Sequence, residues 1–144
     1  MPNTEKLIKL LNTAFEKEYE DVFLYLREAE LFRKKIVDGE RLGDIFEDYS
    51  IMELHHADRI SSKMIEFSCR TVWKFKPLEI SCSLTHILEK HVENEHSAIK
   101  VFNDILEERI DANFKLMIMG IREEEKKHLD KISHILRHIR SKRK

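Results

Sequence analysis

The apolar positions of this chain fall into four long stripes at heptad spacing, the pattern of amphipathic helices. In the first, predicted over residues 4–36, Leu11, Tyr25 and Phe32 share a row with Glu18, and Phe15, Val22, Ala29 and Ile36 run beside it. The second, 39–68, aligns Phe46, Ile60 and Phe67 with Glu53, and places Tyr49 and His56 on the adjacent row. The third, 83–109, aligns Leu88 and Phe102 with Glu95, flanked by His91, Ala98 and Ile105. The fourth, 112–140, aligns Ile118, Ile132 and Ile139 with Glu125, flanked by Ile121, His128 and Ile135. Pro2, Asn3 and Thr4 give the first helix a start signal. Asp38 is the expected N-cap of the second helix, with Gly39 in the turn.

Short turns near 37 and 110 imply two antiparallel helix hairpins. Residues 69–82, which include Cys69, Trp73, Pro77 and Cys82, form the one long connection and can cross the bundle end to end. The expected fold is therefore an all-α four-helix bundle, up-down-down-up, in a single domain over 1–144. Trp73 reads as an apolar plug over the crossover.

Six polar residues interrupt these stripes: Glu18, Glu53, His56, Glu95, Glu125 and His128. Counted from the turns, Glu18 lies 18 residues before position 36, and Glu53 and His56 lie 16 and 19 after position 37. At ~1.5 Å of rise per residue they share one level. Glu95 stands 15 before position 110, and Glu125 and His128 stand 15 and 18 after it, so the second hairpin repeats the first. A glutamate from each of two helices and a Glu-x-x-His pair from each of the others is the ligand pattern of dinuclear iron and manganese carboxylate bundles.

The Glu-x-x-His string alone carries little, since random placement of the 19 Glu and 8 His gives about one such pair. The chain has three, and the third, Glu93 and His96, shares its rows with His86, Glu89, Lys100, Asn103 and Glu107, a solvated face. Placement inside an apolar stripe selects the other two pairs, and selects Glu18 over Glu20 and Glu95 over Glu93. Four carboxylates converging in a core are unfavourable unless cations or protons neutralise them. Two divalent ions balance them, with neutral imidazoles completing each shell. Oxygen-rich ligation with one imidazole per ion favours iron or manganese over zinc or calcium; two Fe ions are expected, with Mn the alternative. Glu53 and Glu125 are the expected bridges, Glu18 and His56 holding one ion, Glu95 and His128 the other.

Composition narrows the picture further. Only 3 Gly and 2 Pro among 144 residues, 37% of them charged, suit long helices and short loops. The formal net charge of −1 carries no nucleic-acid footprint. No apolar run approaches the ~18 residues of a membrane span, and no secretory leader is visible, so a cytoplasmic protein is expected. Cys69 and Cys82 lack C-x-x-C spacing and read as ordinary thiols.

The stretches EYEDVFLYLREAELF (18–32), RLGDIFEDYSIMELHHADRI (41–60), ENEHSAIKVFNDIL (93–106) and REEEKKHLDKI (122–132) resemble the ferritin-like superfamily, bacterioferritin above all. The resemblance spans all four helices, and E-x-x-H-A-D-R at 53–59 is its most specific piece. It implies a ferritin-like bundle in which Glu18, Glu53, His56, Glu95, Glu125 and His128 match the six iron ligands, and Tyr25 matches a tyrosine near the metals. There are departures. Bacterioferritin has a haem-ligating methionine directly after the second-helix glutamate, where this chain has Leu54; Met52 is on another side of the helix, so no haem is expected. The chain ends 16 residues after His128, short of the family's fifth helix, and a storage cage is not expected. Rubrerythrins are similar too, but their C-x-x-C pairs are absent, and their extra third-helix carboxylate would fall near Ala98.

Around the six ligands, His91 and Glu124 are candidates for supporting the metal ligands, and Tyr25 for donating an electron or hydrogen bond; packing or solvation is the alternative for each. The closing Ser141–Lys144 run suits a solvated helix end. The expected activity is ferroxidase, Fe(II) oxidised by dioxygen or hydrogen peroxide, in a homo-oligomer (dimer or larger). The alternatives are a rubrerythrin-like peroxide reductase served by an external electron donor, and an iron-storage subunit.

Overall fold

The computed structural model describes residues 4–71, 78–79 and 81–142; Pro2, Asn3, Trp73, Pro77, Arg143 and Lys144, on which some expectations rest, lie outside them. The four stripes become α1 (Thr4–Lys35), α2 (Glu40–Glu66), α3 (Leu84–Leu106) and α4 (Ala112–Lys142). Their ends are set by local chemistry. Arg33, Lys34 and Lys35 crowd the last turn of α1, where cations complement the helix dipole. Ser83, in extended conformation, accepts a 3.3 Å bond from the His86 amide to cap α3, and Asp111 Oδ1 accepts from the Phe114 amide at 2.8 Å ahead of α4.

The start of α2 corrects the sequence expectation. Asp38 is not the N-cap: its φ is 60°, in the left-handed region, and the cap position belongs to Gly39, without a side-chain cap bond. The turn is too tight for a capping side chain. A Cβ at Gly39 would fall on the Phe32 carbonyl oxygen, so the chain reverses here through close backbone approach.

At the far end of α2 the Ser68 amide bonds to Ile65 O at 2.9 Å and the Cys69 amide to Met64 O at 3.0 Å. This is the paired closure of a Schellman motif, with Ser68 at φ 56° where glycine is usual. A non-glycine residue in that conformation costs about 1 kcal/mol. Ser68→Gly is therefore expected to stabilise the protein by up to that amount, read as a higher midpoint in urea.

The helices pack as two compact units. One, Leu11–Ile80, holds most of α1 together with α2. Here Arg33 Nη2 donates to both Asp44 and Glu47 at 2.7 Å, and Ser50 Oγ donates to the Val22 carbonyl at 2.9 Å. Residue numbers rising on α1 meet numbers falling on α2, so the hairpin is antiparallel. Its core is aromatic: Phe46 stands edge-on to Tyr25 and to Phe32, ring centroids 4.9 Å away in both cases. The hydrogen bonds to Glu47 and then Asp44 raise the Arg33 pKa and hold its proton more tightly than usual.

The other unit is Met1–Leu10 with Ser81–Lys144. Arg122 Nη1 donates to Asn103 Oδ1 at 2.9 Å near one end of the α3–α4 hairpin, and Arg140 Nη2 to Glu89 Oε1 at 2.7 Å near the other. Phe102 and Ile132 lie between these contacts and Leu88, Ile118 and Ile121 just outside them, all fully buried. Lys6 at the start of α1 pairs with Glu108 at 3.2 Å. Among the described residues no helix is long and apolar enough to cross a membrane. Cys69 and Cys82 are free thiols outside the helices.

Candidate metal centre

Glu18, Glu53 and His56 meet inside the α1–α2 unit, and all three are at most 1% exposed. His56 Nδ1 lies 3.6 Å from Glu18 Oε2 and 3.7 Å from Glu53 Oε1. Each residue offers one donor atom within 4.8 Å of the others. These separations are too long for hydrogen bonds. They match groups arranged around a shared ion, since two donors at about 2.1 Å from one metal stand at most about 4.2 Å apart.

Neither oxygen of Glu18 accepts a hydrogen bond among the described residues. A carboxylate removed from water in that state requires a cation or a proton. The backbone dictates where it sits. Leu11 and Tyr25, seven residues before and after Glu18, are completely buried, as are Phe46 and Ile60 around Glu53. Apolar burial on both sides holds the glutamates inside the hairpin, away from bulk solvent.

The α3–α4 unit repeats the construction. Glu95 and Glu125 are 0% exposed and His128 is 2%. His128 Nδ1 lies 3.7 Å from Glu125 Oε2, and the three residues again bring donor atoms within 4.8 Å of one another. Leu88 and Phe102 bracket Glu95, and Ile118 and Ile132 bracket Glu125, all fully buried. Each triad thus presents two carboxylates and one imidazole. One divalent ion balances that charge, and the donor set suits iron or manganese.

The remaining candidates are placed as follows. Tyr25 is buried in the aromatic cluster, its ring centroid 5.6 Å from that of Tyr49. His91 is buried one turn before Glu95 on α3, and Glu124 is half-buried. Glu93 and His96 are exposed, as their rows indicated, and Glu20 is half-buried. Leu54 is exposed and Met52 half-buried. Sequence reasoning missed two buried carboxylates, Asp21 and Glu28. Their signal was available: with Ala14, Glu18, Tyr25 and Phe32 they form a row at alternating three- and four-residue steps.

No family model matches the chain, and no curated protein does. Among solved structures, a bacterioferritin from Rhodobacter capsulatus is similar, with a TM-score of 0.78 at 20% identity over 94% of this chain and 86% of that one. That structure is described as having a metal-free dinuclear site and a haem iron in a crystallographic special position. The likeness shows the fold: the chain is an all-α, ferritin-like four-helix bundle.

Proposed function

We propose that the chain is a di-iron carboxylate oxidoreductase, most concretely a ferroxidase, built as a single domain in which the two triads complete one dinuclear centre. The observation that carries this reading is the duplication: two hairpins each bury Glu, Glu and His together. Joined, the set holds four carboxylates against two divalent ions and is neutral. In this reading Glu53 and Glu125 would hold both ions, Glu18 and His56 one of them, and Glu95 and His128 the other.

The iron supplies the redox chemistry: two Fe(II), as substrate, give one electron each. With hydrogen peroxide and two protons the products are two Fe(III) and two waters; with dioxygen and two protons, two Fe(III) and one hydrogen peroxide. The side chains supply the rest. The carboxylates neutralise the incoming ions and change how many oxygens they offer as charge builds. The imidazoles, fixed three residues from Glu53 and Glu125, set the spacing. The apolar rows around each triad exclude bulk water and keep the electrostatics strong. Tyr25 is proposed as a nearby electron or hydrogen-bond donor, and His91 and Glu124 as groups that orient ligands. Haem has no part in this reading, because Leu54 offers no donor atom.

Exposed Phe23, Leu26, Ile51 and Leu54 on the α1–α2 hairpin support a homo-oligomer, proposed here to be cytoplasmic. Stopped-flow mixing of the diferrous protein with dioxygen and with peroxide tests the activity. Oxidation that saturates at two Fe(II) per chain supports the ferroxidase reading. A preference above about tenfold for peroxide, ~1.4 kcal/mol in barrier, would favour a peroxide reductase with an external electron donor. Iron uptake far beyond two per chain would favour storage. Absence of Fe(II) binding would overturn all three.

A further inference from the structure

Away from the buried triads, α4 carries a second arrangement of metal-binding side chains. His134 and His138 are both exposed and stand four residues apart on a continuous helix. They are the one pair among the eight histidines at three- or four-residue spacing. Asp130, also exposed, lies four residues before His134 on the same line. The triads are oxygen-rich and buried; this line is imidazole-led and open to solvent.

We propose that His134 and His138 form a surface site for a borderline divalent transition metal such as Ni(II), Cu(II) or Zn(II). Helical side chains four apart are neighbours, with Cβ atoms about 5–6 Å from each other. Two imidazole nitrogens at that spacing can close on one ion at about 2.0–2.1 Å. Helix rigidity fixes the spacing in advance, so little backbone order is lost on binding.

Asp130 cannot reach the same ion, because at ~1.5 Å of rise per residue it starts about 12 Å from His138 along the axis. Four residues before His134 on the helix, it can reach that histidine's second ring N–H by side-chain rotation. Such a bond fixes the tautomer and raises the basicity of the nitrogen that binds metal. Lys131 and Arg137 flank the line and oppose a cation, which tempers the affinity. Imidazole donors without carboxylates in the shell select nickel, copper and zinc over manganese and iron. The site therefore takes a different class of ion from the buried triads.

Isothermal titration of the full chain with Ni(II), in wild type, His134→Ala, His138→Ala and Asp130→Asn, tests the assignment. All four proteins keep the buried ligands, so any site lost belongs to the surface line. Removing either histidine is expected to weaken one Ni(II) site by more than about tenfold, and Asp130→Asn to weaken it by about tenfold, with both histidines still required. Copper(II) bound to the wild type should show two-nitrogen hyperfine structure, reduced to one nitrogen in either histidine variant. Unchanged nickel affinity and stoichiometry in both histidine variants would overturn the site. The substituted positions are exposed, and circular dichroism unchanged from wild type verifies that the helix survives.

Discussion

Replacing Glu53 or Glu125 by alanine is expected to remove both metals from the protein, taking its content from two per chain to none. Each of these glutamates belongs to one triad but bridges in the proposed centre, so its loss strips both ions of a ligand. The stranded histidine and remaining carboxylates cannot hold two cations alone. Elemental analysis after loading with Fe(II) and desalting reads the outcome directly. Glu93→Ala, on the exposed face of α3, should keep two metals and serves as the control. Retention of one metal in Glu53→Ala would show that the triads bind independently and would remove the bridging assignment.

A space-filling apolar substitution at Glu53 is expected to have an opposite effect on the metal-free protein. Buried carboxylates held together without a cation repel, and apolar replacement of buried charge is often neutral or stabilising by 1–4 kcal/mol. Glu53→Leu, which also fills the space, should thus melt no lower than wild type in the presence of chelator. With metal the order reverses. At a hundredfold excess over Kd each ion stabilises the native state by about 2.7 kcal/mol, about 5 kcal/mol for two, and the variant gains none of it. A crossing of the two melting temperatures between chelated and loaded samples is the expected signature. A variant that gains the same metal-induced shift as wild type would contradict the assignment of Glu53 as a ligand.

How far the chain could be read in advance follows from which forces act along one helix and which act across two. The stripes are a property of single helices, so all four appear within a few residues of their predicted ranges. The burial of the triad residues was legible for the same reason. Glu53 and Glu125 stand where the row demands an apolar side chain, whereas Glu93 stands in a solvated row, and the burial of each follows. Ends were harder. Asp38 has a good capping side chain, yet close approach to the Phe32 carbonyl decides the turn and puts Gly39 at the cap. Asp111 received no role, although its side chain caps the Phe114 amide. Asp21 and Glu28 were overlooked because only two rows of α1 were treated as core, and the helix buries a wider arc than that.

Phe46→Ala is expected to cost about 3–5 kcal/mol, the usual toll for deleting a fully buried aromatic ring. Phe46 is 0% exposed and sits at the centre of the hairpin's aromatic cluster, edge-on to both Tyr25 and Phe32 and 6.3 Å from the ring of Tyr49. Edge-to-face pairs contribute about 0.5–1.5 kcal/mol beyond the area they bury, so this loss belongs near the upper end of the range. Against a typical total stability of about 5–15 kcal/mol it is large enough to leave a visible unfolded fraction at growth temperature. The consequence extends to the metal. Phe46 lies two turns before Glu53, and its partner Tyr25 two turns after Glu18, so the ring holds α1 and α2 in the register that brings those carboxylates together. Weaker metal retention by the Glu18, Glu53 and His56 triad should accompany the lower melting temperature. Val37→Ala, 91% exposed in the turn of the same hairpin, should stay within about 0.5 kcal/mol of wild type. Equal effects from the two substitutions would mean that the aromatic cluster does not hold the hairpin together.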